Sequence, residues 1–267
     1  MKICVIGGGS TYTPELVTGF LERQEVLPLS ELVLMDISEK RLSIVGGFAQ
    51  RMVASAGAPF TVTLSTDRRA AVEGASYVIT QLRVGGMNAR REDEYLGRRH
   101  GLIGQETTGV GGMAKALRTI PVVLDLANDM RELSPQALLV NFANPSGLVT
   151  QALTKYAPHV PSVGVCNAAI TTKMRILAGL AEEGPEADPE QVELDTLGLN
   201  HLTWHRGLTV DGQDIWPQVM ASIVRDPSRY DVGKWDVDTL RVLDMIPNYY
   251  LEYYYYTAAK IAAQESW

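Results

Sequence analysis

Apolar and polar positions fall into alternating blocks along the first two thirds of the chain. KICVI at residues 2–6 is a short apolar run closed by glycine. ELVLMD ending at Asp36, FTVTLS at 60–65, ASYVITQL at 75–82, ALLVNFAN at 137–144 and VPSVGVCN at 160–167 repeat the pattern. Short apolar runs bounded by turn residues predict strands buried on both faces. Helical spacing fills the gaps from the first glycines to about Leu21, over 38–56 and over 113–132. Strand and helix in alternation predict a parallel, doubly wound sheet. From about Ala168 the pattern changes. A helix precedes VELDTLGLNHLTWHRGLTVDG, whose two β-rich runs read as antiparallel, and helical segments follow to the end. The expected class is α/β, with one domain over 1–166 and a second, α+β domain over 167–267.

The 267 residues, 46% hydrophobic and 21% charged, suffice for one large or two modest domains with a proper core. A formal net charge of −7 argues against a nucleic-acid or anionic-membrane binder. No apolar run is long enough to span a bilayer. The apolar run before the first glycine is too short for a signal-peptide core, so a cytoplasmic protein is expected. Of the two cysteines, Cys4 falls inside the first strand and reads as a small buried hydrophobe. A disulfide is not expected in a reducing compartment, which leaves Cys166 to be explained.

Gly7, Gly8, Gly9 and Ser10 lie between the first strand and the first helix, and Asp36 ends the next strand. This order of strand, glycine loop, helix, strand and acid is the arrangement of a dinucleotide-binding, Rossmann-like domain. Gly7 permits the tight turn, and Gly9 lets the backbone approach a pyrophosphate at the helix N-terminus. Asp36 would accept hydrogen bonds from the adenosine ribose, favouring NAD over NADP. The third glycine position of the pattern holds Tyr12.

Cys166 and Asn167 follow one strand and Asn144 ends the one before it, where open parallel sheets bind ligands. His201 sits in GLNHLTWH. Cys166 and His201 have no local zinc-site spacing, and by residue type alone a buried thiol and a structural histidine stand slightly ahead of a ligand pair. His100, His159 and His205 read as structural or surface residues. Arg83, Arg90, Arg91, Arg98 and Arg99 gather ahead of GLIGQETTGVGG at 101–112. A solvated charged loop is one reading; the glycine and threonine content favours a substrate-side loop with guanidinium groups for an anion. Six of the eleven tyrosines crowd into PNYYLEYYYYTAAK at 247–260. Aromatic residues at helical spacing are usually core, and a helix here would put Ile246, Tyr250, Tyr253 or Tyr254, and Thr257 on one face.

Taken in order, VIGGGS-x-YTPEL, R-x-GG, GLIGQETTGVGG, NF-x-NPSG, G-x-CN and GLNH resemble the family 4 glycoside hydrolases over essentially the whole chain. These are NAD- and divalent-metal-dependent glycosidases that depart from two-carboxylate hydrolysis. The Cys166-Asn167 pair is similar to that of the 6-phospho-β-glucosidases; α-specific members carry Asp or His after the cysteine. The resemblance implies NAD-assisted oxidation at C3 of the sugar, deprotonation at C2, elimination of the aglycone, addition of water and re-reduction. It implies Cys166 and His201 as ligands of a metal, usually Mn²⁺, acting as a Lewis acid on the sugar hydroxyls. Thiolate is a soft partner for Mn²⁺, so modest affinity and sensitivity to oxidation are expected. Arg90, Asn144 and Asn167 match substrate-binding positions, and Asn167 has no acid role. Glu106 matches an acidic residue that orients the catalytic base and raises its basicity.

The motif NYYLEYY matches the family's catalytic tyrosine to Tyr250. A phenol with an ordinary pKa of about 10 is a poor base at neutral pH. It needs a cationic neighbour such as the metal, or a carboxylate such as Glu106 to take up its proton. Tyr253 or Tyr254 would line the pocket. The implied substrate is a phosphorylated disaccharide or aryl 6-phospho-β-glucoside, with no nucleic acid or membrane partner and a homo-oligomeric dimer or tetramer. Family members continue beyond the position of Trp267. The expectation is a C-terminally truncated substrate domain that keeps the NAD fold and hydrolyses substrate poorly. The rival readings are an NAD-dependent 2-hydroxy-acid dehydrogenase and a non-catalytic NAD-binding regulator.

Overall fold

A computed structural model describes residues 1–182 and 187–264 of the chain. The polypeptide divides into two compact units, Met1–Val165 and Cys166–Trp267.

Unit 1 is built on six parallel strands: β1 (Lys2–Ile6), β2 (Glu31–Met35), β3 (Thr61–Ser65), β4 (Tyr77–Thr80), β5 (Leu138–Asn141) and β6 (Ser162–Gly164). Their order is β3-β2-β1-β4-β5-β6, so the winding direction reverses between β1 and β4. In such sheets the crevice beyond the strands' C-terminal ends, at that reversal, is where ligands bind. Helices α1 (Thr13–Glu22), α2 (Glu39–Ser55), α3 (Arg68–Val72), α4 (Gly86–Arg99), α5 (Gly109–Leu133) and α6 (Ser146–Tyr156) connect the strands.

The central strands alternate between two apolar cores. Ile3, Val5, Leu32 and Leu34 pack with Val17 and Phe20 of α1 and Leu42 and Val53 of α2. Cys4, Ile6, Val33, Met35 and Val78 pack with Val123, Leu126 and Met130 of α5 and Val149 and Leu153 of α6. Both faces being covered is why these strands carry no polar alternation. Burial pushes the Cys4 thiol up to about 12, consistent with a buried hydrophobe.

One expectation for the middle of the chain needs correction. Arg90, Arg91, Arg98 and Arg99 lie on helix α4, where Arg90 pairs with Glu94 one turn on and Arg99 pairs with Glu92. Of the loop expected over 101–112, the glycines at 109–112 are instead the first turn of α5. A Cβ on Gly111 would stand 2.3 Å from the Gln105 carbonyl oxygen, so the missing side chain lets the 101–108 loop fold tightly onto the helix.

Unit 2 opens with α7 (Ala168–Ala181) and contains a long antiparallel hairpin of β7 (Val192–Leu199) and β8 (Leu202–Val210). A short β9 (Gln213–Asp214) also pairs with β8. Helices α8 (Trp216–Arg225), α9 (Pro227–Tyr230) and α10 (Val237–Leu243) follow. Their core gathers Ile176, Leu208, Trp216, Val219, Ile223, Tyr230 and Leu240.

The tyrosine-rich stretch is not one helix with a single apolar face. Ile246–Pro247 is a short strand, β10, paired with His205 and Trp204 of β8. The Asn248 side chain then accepts a hydrogen bond from the Tyr250 amide and starts a 3₁₀ turn over Tyr249–Leu251. Two short helices follow, α11 (Glu252–Tyr255) and α12 (Thr257–Ala262), separated at Tyr256, whose φ of −121° and ψ of 36° leave the helical range. Proline's fixed φ and missing amide suit an edge strand, and an asparagine cap restarts the chain as a turn. The helical continuation expected to the last residue falls partly on 265–267, outside the described residues. No helix among the described residues is long and apolar enough to cross a membrane.

Candidate active site

In unit 1 the expected site residues follow the C-terminal ends of the central strands. Gly7–Ser10 leave β1, Asp36 leaves β2 and Asn144 leaves β5, while Arg90 sits on α4 and Glu106 in the loop before α5. Gly7 has a φ of +97°, and a Cβ there would stand 3.0 Å from the Gln81 carbonyl group, so the tight turn demands glycine. Gln81 holds the loop from the β4 side, donating from Nε2 to the Gly7 carbonyl at 3.2 Å and to Thr13 Oγ1 at 2.7 Å.

Asp36 is buried. Its Oδ2 accepts the Gly9 amide and its Oδ1 the Ser38 amide, each at 2.9 Å. A carboxylate offers about four acceptor sites, so each oxygen keeps capacity for a ribose hydroxyl. The Thr11 amide, next to the N-terminus of α1, has no partner among the described residues. A fixed carboxylate, a glycine without side chain and an open amide at a helix start fit a dinucleotide.

Glu106 sits in a cage of cations. Arg83 and Lys115 both donate to its Oε2, Lys115 at 2.6 Å, and Arg90 Nη1 lies 3.5 Å from Oε1. Burial alone would push the Glu106 carboxyl up, but hydrogen bonds and charge from Arg83 and Lys115 overcome this and hold it below its ordinary value. Burial pushes the Lys115 ammonium down, against the pull of Glu106. A carboxylate held ionised in this way is a weak proton acceptor. Lys115 was not a sequence candidate. The available signal was a lysine one turn after Gly111, on the helix stripe that buries Gly112, Ala116 and Thr119.

In unit 2, Cys166 and Asn167 precede α7, and His201 is the second residue of the two-residue turn joining β7 to β8. His201 takes a left-handed φ of +68° there. The turn brings His201 Nε2 to 3.3 Å from Cys166 Sγ. Burial pushes the His201 imidazole down, favouring the neutral form that binds metal ions. Tyr250 stacks on His201 with ring centroids 3.8 Å apart and planes 9° from parallel. Asn167 Oδ1 lies 3.9 Å from Cys166 Sγ. Unit 2 therefore brings together Cys166, Asn167, His201 and Tyr250.

Among the described residues no third His, Cys, Asp or Glu completes a cluster around the Cys166–His201 pair. Two protein donors fit a metal ion whose remaining positions are open to substrate and water. The tyrosine nearest Tyr250 is Tyr249, with centroids 4.9 Å apart, against 6.0 Å for Tyr253. Tyr254 is exposed. Burial, then the neighbouring Tyr250 and Cys166, push the Tyr249 phenol up to about 12.

His205, near His201 in sequence, is different in kind. It is fully buried in β8, its Nδ1 sits 2.9 Å from Thr196 Oγ1, and burial pushes it down to about 4.

Residues 2–182 match the model of the family 4 glycosyl hydrolases, and residues 196–266 match the C-terminal domain of the same family. The chain belongs to the family 4 glycosyl hydrolases. A probable 6-phospho-β-glucosidase of Bacillus subtilis is 44% identical over 265 residues, covering 96% of this chain and 59% of the relative. A 6-phospho-β-glucosidase of Escherichia coli is 38% identical, covering 96% of this chain and 58% of the relative. A solved 6-phospho-β-glucosidase of Thermotoga maritima, with manganese, NAD⁺ and glucose 6-phosphate, is 36% identical with a TM-score of 0.89. That comparison covers 99% of this chain and 62% of the solved one. This family 4 chain thus spans less than two thirds of the length of these relatives.

Proposed function

We propose that this chain carries the NAD-binding and metal-binding halves of a 6-phospho-β-glucosidase. The observation that carries the proposal is the cluster in unit 2: a thiol 3.3 Å from an imidazole, with a phenol ring stacked on that imidazole. The activities of the family 4 relatives support the phosphoglucoside substrate, and the Thermotoga maritima complex supports NAD and Mn²⁺. When bound, NAD⁺ supplies reversible hydride transfer at the sugar and the metal ion supplies Lewis acidity at its hydroxyls.

The protein's own groups divide the remaining work. Cys166 and His201 would hold the metal ion. Tyr250 would accept the C2 proton at its phenol oxygen, with the stack on His201 fixing its ring. Because Glu106 is held ionised by Arg83 and Lys115, we assign it to ordering those cations and Arg90 rather than to taking a proton. Arg90 and Asn144 would bind the sugar phosphate or hydroxyls, and Asn167 the sugar hydroxyls. In unit 1, Gly7, Gly8, Gly9, Ser10 and Asp36 would hold the dinucleotide.

The test is hydrolysis of a nitrophenyl 6-phospho-β-glucoside. Release of nitrophenol should require both added NAD⁺ and Mn²⁺ and should stop on chelation. Net accumulation of NADH from lactate or malate, without metal, would favour a hydroxy-acid dehydrogenase instead.

A further inference from the structure

The glycine loop of unit 1 carries a second charged side chain that the proposed function leaves unused. Arg41, in the first turn of α2, donates from Nε to the Gly9 carbonyl at 3.2 Å. The amide of the same glycine donates to Asp36 Oδ2 at 2.9 Å. Asp36 and Arg41 therefore flank one residue, the glycine whose bare Cα lets a cofactor approach the backbone. A Cβ built on Gly9 would lie 2.8 Å from Asp36 Oδ2 and 3.0 Å from Arg41 Cβ. Arg41 is itself anchored through its amide, which donates to the Ser38 cap at 3.3 Å. Beyond Nε the guanidinium is uncommitted: its two Nη groups have no partner among the described residues, and the residue is exposed.

An acid after β2 reads the ribose diol and repels a phosphate on the 2′-oxygen. A planar guanidinium with a free fork is the side chain best suited to bind such a phosphate. Here the two stand on the same glycine. We propose that Arg41 admits a 2′-phosphate beside Asp36, so that the site takes NADP⁺ as well as NAD⁺, and that Arg41 sets the ratio. The proposal rests on the dinucleotide reading of unit 1. The competing role for an exposed arginine at this place is stacking on the adenine or bracing the loop, which would serve NAD⁺ and NADP⁺ equally.

Titration calorimetry of the whole chain with NAD⁺, NADP⁺ and 2′,5′-ADP separates these roles without any turnover. The wild-type protein should bind NADP⁺ within about tenfold of NAD⁺. Arg41→Ala should weaken NADP⁺ and 2′,5′-ADP by at least about tenfold, the loss of a charge-assisted phosphate contact, and change NAD⁺ by less than about threefold. Retained NAD⁺ binding also reports that the variant is folded. Arg41→Lys, a point charge without the fork, should fall between them. NAD⁺ binding with NADP⁺ more than about a hundredfold weaker would overturn the proposal and leave the dinucleotide reading standing. Equal losses for NAD⁺ and NADP⁺ in Arg41→Ala would also overturn it. Binding of neither nucleotide would overturn the dinucleotide reading itself.

Discussion

Glu106 offers the sharpest test of the electrostatics. It is 8% exposed and Lys115 is 4% exposed, so neither can turn to water when its partner is removed. Glu106→Gln keeps the shape and one acceptor but leaves the Lys115 ammonium buried without a counter-charge. Removing one member of a buried pair costs about 3–5 kcal/mol; the retained amide oxygen places this case near about 3. Lys115→Met is milder, because Glu106 keeps Arg83 and Arg90. It should cost about 1 kcal/mol, one net charge-assisted hydrogen bond partly offset by apolar burial. The double variant should be more stable than Glu106→Gln alone, since no unpaired ammonium remains.

The measurement is urea unfolding by far-UV circular dichroism, checked by hydrogen exchange of α5. The pH dependence has a defined sign. The Glu106 carboxyl is held below its ordinary value of 4.5, so its contribution is present above that pH and is lost as pH falls through the folded value. Glu106→Gln should lack this loss. A Lys115→Met cost equal to that of Glu106→Gln, or additivity within about 0.5 kcal/mol, would refute the reasoning.

Other outcomes follow from single contacts. His205 is fully buried and pushed down to about 4, so the unfolded state binds the extra proton between about pH 6.5 and 4. Stability should fall by roughly 3 kcal/mol across that window, and less in His205→Asn, read by tryptophan fluorescence, since all four tryptophans lie in unit 2. Gly179→Ala would place its Cβ 2.4 Å from the ring of fully buried Tyr230 and should destabilise unit 2 by about 1–3 kcal/mol in the same assay. Cys166→Ser and His201→Ala should each weaken Mn²⁺ binding at least about tenfold by electron paramagnetic resonance titration, with NAD⁺ binding unchanged.

The parallel sheet of unit 1 is legible in the sequence because its central strands are buried on both faces. After their first residues KICVI and ELVLM are apolar without interruption, and their order around the glycines and Asp36 marks the loop proposed for the dinucleotide. The tyrosine-rich end is not legible in the same way. Aromatic periodicity suggests a helix, but Pro247 on an edge strand and the Asn248 cap decide the local structure. Cys166 and His201 show the limit most clearly. Residue type alone leans toward two structural side chains, and only the hairpin turn puts Nε2 beside Sγ. Lys115 escapes notice because its pairing depends on which face of α5 is buried and on Arg83, Arg90 and Glu106 converging from separate segments.

The most direct measurement is mass spectrometry and NMR of the sugar product after turnover of a 6-phospho-β-glucoside in D₂O with NAD⁺ and Mn²⁺. If Tyr250 removes the C2 proton, the 6-phosphoglucose formed should carry solvent deuterium at C2 with no net NADH, and Tyr250→Phe should lose that exchange while still binding NAD⁺. Product that keeps its original C2 proton, or turnover that persists without NAD⁺, would contradict the assignment.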